Sequence, residues 1–168
     1  MTRSAAHASR RAVRSILHSL PPALALLLLA DAAAAQEAPC TGPQSAVKLY
    51  VDVQGVRSSD GLIAVSLYPD DSSKFLAHHG SLYVGRVPAR KGTTSVCIHL
   101  PRTGVYAIAV YHDADGDRHF DRTTIGLPAE GFGFSNDPRV FLGMPAWKSV
   151  RLTISKTDEH TSVRLRYP

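Results

Sequence analysis

Between Ala46 and Gln54 the chain alternates one for one, with Val47, Leu49, Val51 and Val53 set against Lys48, Tyr50, Asp52 and Gln54. Successive side chains of an extended chain point to opposite faces, so a period of two marks a strand with one face in a core and the other in water. The pattern returns at Thr94, Val96, Ile98 and Leu100, at Val150, Leu152 and Ile154, and at Val163, Leu165 and Tyr167. Leu62–Tyr68 and Ala107–Tyr111 are nearly unbroken apolar runs, as expected of more deeply buried strands, and Leu82–Val87 is a weaker candidate. Turn residues at Arg57–Gly61 predict a hairpin of the first two strands, and Lys156–His160 predicts a polar turn between the last two. Pro69–Gly80 is the one stretch suited to a short helix or turn, with Asp70–Ser73 to cap it and Phe75-Leu76 to dock inward.

About seven strands with almost no helix predict an all-β chain, an antiparallel Greek-key β-sandwich of immunoglobulin-like or transthyretin-like type, with a small barrel as the alternative. Tyr106, entering a strand just after Pro101-Arg102-Thr103-Gly104, has the setting of a tyrosine corner, in which the hydroxyl bonds back to the turn backbone.

Residues 1–35 have the three parts of an export signal: Arg3, Arg10, Arg11 and Arg14, an apolar run ending Ala23–Ala30, and small residues Ala32–Ala35. The run is shorter than a spanning helix needs and Pro21-Pro22 interrupts it, so cleavage after Ala35 and a periplasmic or secreted product without stable membrane insertion are expected. Removing this leader takes four Arg and one Asp, so the net charge falls from +5 to +2. With Lys and Arg scattered singly through the remainder, there is no electrostatic footprint for nucleic acid.

Cys40 and Cys97 both lie beyond the leader, and an oxidising compartment makes an intramolecular disulfide the expected state. Closing so long a loop contributes about 4 kcal/mol in the chain-entropy model. The expected organisation is a signal peptide over 1–35, an N-terminal segment over 36–45 tied by the disulfide, and one sandwich domain over 46–168. Cys97 shares the outer face of its strand with Ser95 and His99, so the bridge would cross the outside of that strand.

The chemistry concentrates in His112-Asp113-Ala114-Asp115-Gly116-Asp117-Arg118-His119-Phe120-Asp121. Carboxylates at relative positions 1, 3, 5 and 9 suit a curled loop that aims several oxygens at one hard cation, which points to calcium. The EF-hand pattern is incomplete: Arg118 takes the glycine position, Thr124 stands where the bidentate Glu belongs, and no long helices flank the loop. The candidate ligands are Asp113, Asp115, Asp117, Asp121, the backbone carbonyl of His119, and Glu130 closing the site from the next segment. The competing reading is an Asp/Gly turn whose carboxylates cap backbone amides. Gly131-Phe132-Gly133-Phe134-Ser135-Asn136 follows, reading as a loop that hugs the surface and offers Phe132, Phe134 and Asn136 as a ligand surface.

The run from His112 to Asn136, His-Asp-x-Asp-Gly-Asp-x-x-x-Asp followed by Gly-x-Pro-x-Glu-Gly-x-Gly-x-Ser-Asn, resembles a family of exported bacterial proteins known only as a domain of unknown function. Asn commonly replaces Asp115 and Asp117 there. The resemblance spans roughly Val47 to Tyr167 and implies a β-sandwich with an export signal, but no activity.

No Gly-x-Ser-x-Gly elbow and no spaced His ligand set is present. The expectation is a non-catalytic exported protein whose calcium-ordered loop presents a surface to a protein, peptide or glycan partner. The rival is a periplasmic hydrolase or lyase using Asp113, Asp117 or Glu130, which requires those carboxylates in a concave pocket with at least one raised pKa.

Overall fold

A computed structural model describes residues 39–140 and 144–168; the expected signal peptide lies outside the described residues. Eight strands occur in it: β1 (Val47–Val56), β2 (Leu62–Pro69), β3 (Tyr83–Pro88), β4 (Gly92–Leu100), β5 (Gly104–Asp113), β6 (Gly131–Phe134), β7 (Arg151–Ile154) and β8 (Asp158–Arg164). They form a three-stranded sheet, β4-β1-β8, and a five-stranded sheet, β3-β2-β5-β6, in which β7 also pairs with β5. This is the expected all-β sandwich. Pairing is antiparallel except between β1 and β8, which run parallel from Lys48 opposite Asp158 to Gln54 opposite Arg164.

The period-two residues of β1 are the core: Leu49, Val51 and Val53 are fully buried. They pack with Val96, Ile98 and Leu100 of β4 and with Ile63, Val65, Leu67, Ile108 and Val110 of the opposite sheet. Each such side chain contributes about 1.5–3 kcal/mol on burial.

The expected hairpin of β1 and β2 does not form, because the two strands belong to opposite sheets. A periodic pattern fixes which face is buried but not which strand is the neighbour. The connection instead crosses between layers, and Gly61 touches the backbone there: a Cβ on it would stand 1.9 Å from the Asp113 carbonyl oxygen. Pro69–Gly80 is a series of turns without a helix, with Asp71 Oδ1 accepting the Ser73 N–H at 2.8 Å. Phe75 and Leu76 pack not into the inter-sheet core but onto the outer face of the five-stranded sheet, Phe75 against Tyr68 and Phe134. The only helical turn among the described residues is α1, Trp147–Val150. The polar turn before the last strand is also shorter than expected, since Asp158, Glu159 and His160 already lie on β8 beside β1.

Cys40 and Cys97 form a disulfide across a separation of 57 residues. The bridge lays Thr41 along the edge of β4, where its N–H donates to the Cys97 carbonyl at 2.8 Å and its carbonyl accepts the His99 N–H at 2.9 Å. An edge that would otherwise offer unpaired backbone groups is thereby covered. Tyr106, buried at the start of β5, donates its hydroxyl to the Arg102 carbonyl at 2.9 Å, the tyrosine-corner bond.

Candidate functional site: an acidic loop beside an aromatic groove

The acidic loop leaves the end of β5, and its first carboxylate is wholly buried. Asp113 Oδ1 accepts the Gly116 N–H at 2.9 Å and Oδ2 accepts the Arg118 N–H at 3.0 Å. Asp115 Oδ1 accepts the Asp117 N–H at 3.2 Å, and Asp117 Oδ1 accepts the His119 N–H at 2.7 Å. The aspartates therefore curl the loop around themselves by capping its backbone donors. Gly116 at φ 78° and Arg118 at φ 70° make the sharp bends. Arg118 takes the left-handed conformation at the position an EF-hand reserves for glycine, so the chain makes that turn without the residue that makes it cheaply.

Glu130 reaches back from beyond the loop. Its Oε1 accepts the Ala114 N–H at 3.2 Å and its Oε2 the Asp121 N–H at 3.1 Å, so one carboxylate staples both ends of the acidic run. Burial raises the Glu130 pKa above its ordinary 4.5; the two N–H bonds oppose the shift, and neighbouring Asp113 and Asp121 add to it.

Side-chain oxygens of Asp113, Asp115 and Asp117 lie within 4.8 Å of one another. Two oxygens on one calcium ion stand at most about 5 Å apart, so these three carboxylates can share a cation. Asp121 and Glu130 are not part of the group, and His119 is exposed, with Nδ1 3.6 Å from Asp117 Oδ2. Capping does not exclude coordination, because each carboxylate oxygen has a second lone pair.

Beside the loop, the outer face of the five-stranded sheet carries a second apolar layer. Ala109 and Ser66 face each other across β5 and β2, and next to them stand Tyr111 and Tyr68. Around these small residues runs a belt of rings from five parts of the chain: β2, the turns after it, β5, the acidic loop and β6. Tyr111 meets Phe120 at 5.5 Å between centroids, Phe120 meets Phe132 at 6.1 Å, and Phe132 meets Phe134 at 5.8 Å. Phe134 then meets Phe75 at 6.0 Å, and Phe75 meets Tyr68 at 5.3 Å. Each pair lies edge to face, the favoured arrangement for aromatic quadrupoles. The belt surrounds a groove of about 280 Å³ whose lining includes Phe120 and Arg122 from the acidic loop and Phe132 and Phe134 from β6.

Gly131–Phe134 is thus a strand rather than the expected loop, and its glycines have a steric cause. A Cβ on Gly131 would lie 2.3 Å from the Tyr167 ring, and one on Gly133 would lie 2.7 Å from the Arg164 carbonyl oxygen. The inner face of β6 is covered this closely by the C-terminal segment, while its outer face gives the two Phe to the groove. Asn136 lies apart, its amide donating to the carbonyls of Ser149 and Arg151 at 3.2 and 2.9 Å.

Sequence reasoning missed the partners of His112, which is buried and meets no carboxylate among the described residues. Its Nε2 donates to the Asp60 carbonyl at 2.9 Å, and Nδ1 lies 2.8 Å from the Tyr167 hydroxyl, which itself accepts the Arg57 N–H at 3.1 Å. The groove was also missed. Its signal is small outward residues on adjacent apolar strands, Ser66 and Ala109, flanked by Tyr68 and Tyr111.

Fold and site together define a small β-sandwich in which an acidic loop forms one wall of an aromatic groove. Residues 51–162 match the family described as "Uncharacterized protein conserved in bacteria (DUF2141)", and the chain belongs to that family. No curated protein and no solved structure matches it. No helix among the described residues is long and apolar enough to cross a membrane.

Proposed function

We propose that this is an exported, non-catalytic binding protein. Calcium held by Asp113, Asp115 and Asp117 fixes the acidic loop, and the aromatic groove beside it receives a protein, peptide or glycan partner. One observation carries the reading: Phe120 and Arg122 of the loop line the same groove as Phe132 and Phe134 of β6. Whatever rigidifies the loop therefore shapes the groove. Among the described residues the groove lining holds no carboxylate, His or Cys, so the carboxylate pair that the hydrolytic reading needs does not face that surface. Glu130 has the raised pKa that the hydrolytic reading requires, but both its oxygens are engaged by backbone N–H groups outside the groove.

The test is a calorimetric calcium titration with parallel thermal melts of the disulfide-intact protein. Saturable heat in the range of weak extracellular sites, about 10⁻⁴ to 10⁻³ M, and a rise in Tm are expected. Both should vanish in Asp115→Ala/Asp117→Ala, which leaves the structural caps of buried Asp113 in place. Absence of heat and of a Tm shift in the parent protein would remove calcium from the account.

A further inference from the structure

We infer that the groove is a site for a small apolar carboxylate of about the size of one aromatic amino acid, its ring over Ala109 and Ser66 and its carboxylate paired with Arg122. The inference rests on the groove being the binding surface, and it adds the chemistry of the occupant. The volume, about 280 Å³, lies at the lower end of small-molecule sites and suits one ring rather than an extended ligand. The walls are already an edge-to-face chain of rings around a floor of small side chains, so a further ring can join that packing.

Charge selects among ligands with such a ring. Aromatic enclosures also attract quaternary ammonium groups, but among the described residues the sole charged side chain in this lining is the cation Arg122. Its guanidinium is held in place: the carbon lies 5.1 Å from the centroid of the Phe120 ring, and Nη1 donates to the Gly126 carbonyl at 2.9 Å. Arg122 forms no ion pair among the described residues, so its remaining N–H donors can meet a carboxylate. A sugar would find only a few hydroxyls for its many polar groups. An apolar acid satisfies both the rings and the arginine.

The experiment is calorimetry and amide chemical-shift mapping of the disulfide-intact protein with N-acetyl-phenylalanine, its neutral amide, and the tripeptide Gly-Gly-Phe with a free C-terminus. The acid should bind and shift Ala109 and Phe132. The amide, and the acid on Arg122→Gln, should each bind about ten-fold more weakly or worse, as loss of a charge-assisted pair implies. Ala109→Leu, which fills the floor from an outward-facing position, should abolish binding. Tripeptide binding as tight as the acid places recognition in the residue itself, and tighter binding assigns the site to chain ends; either agrees with the inference. Equal binding of acid and amide, both lost in Ala109→Leu, would overturn the carboxylate while leaving the groove as a binding surface. No binding of any of the three probes would overturn the assignment, and the calcium titration then decides separately whether the ordered-loop reading survives.

Discussion

Phe120 of the acidic loop and Phe132 of β6 meet edge to face with 6.1 Å between ring centroids. Through this contact the loop that gathers the carboxylates is also a wall of the groove, so loop and groove share one packed contact.

Arg118→Gly should stabilise the protein. The left-handed conformation at φ 70° costs a non-glycine residue about 1 kcal/mol, and the carbonyl of residue 118, which accepts the Tyr111 hydroxyl at 3.1 Å, is retained by glycine. Thermal melts should show a Tm a few degrees higher, with calcium affinity unchanged or improved. A lower Tm would mean that the Arg118 side chain supports the loop more than the backbone strain opposes it.

Glu130 gives the stability a specific pH dependence. Its pKa is raised on folding, so the folded state binds the proton more tightly than the unfolded state. Its contribution is fully present below the unfolded value near 4.5 and is lost as pH rises through the folded value. Denaturant titrations across that window should show the parent losing stability relative to Glu130→Gln as pH rises. A gap that widens in the parent's favour would contradict the burial assigned to this carboxyl.

Tyr106→Phe should cost about 1 kcal/mol in chemical denaturation, because it removes only the hydroxyl that bonds the Arg102 carbonyl and keeps the buried ring. A loss several times larger would assign the hydroxyl a role beyond that turn.

Reducing the Cys40–Cys97 bridge, or replacing both residues by Ser, should cost about 2–4 kcal/mol. Hydrogen exchange should accelerate at His99, whose N–H donates to Thr41, before it does at the interior of β1. Unchanged protection at His99 would show that Thr41 holds the β4 edge without the bridge.

How much of this was legible in the sequence differs by element. The alternation over Val47–Val53 and Thr94–Leu100 names the buried face correctly, because burial acts on each side chain by itself. It cannot name partners, and β1 and β2, adjacent in the chain, are separated by the core. β6 is hidden because glycine is a poor strand former, and its glycines answer to Tyr167 and Arg164, more than thirty residues further on. Asp158–His160 reads as a turn because an edge strand beside β1 can be polar on its exposed face. The clustering of Asp113, Asp115 and Asp117 follows from local spacing, whereas the groove is assembled from Tyr68, Leu76, Tyr111, Phe120 and Phe132, whose proximity only the folded sheet creates.

The most direct test of the account is a calcium titration of isotope-labelled protein followed at the amides of Asp113–Asp117 and of Phe120 and Phe132. Saturable shifts in the loop should be accompanied by shifts of the same midpoint at Phe120 and Phe132, all absent in Asp115→Ala/Asp117→Ala. A spectrum unmoved above millimolar calcium, or a loop that shifts while Phe120 and Phe132 stay fixed, would contradict it.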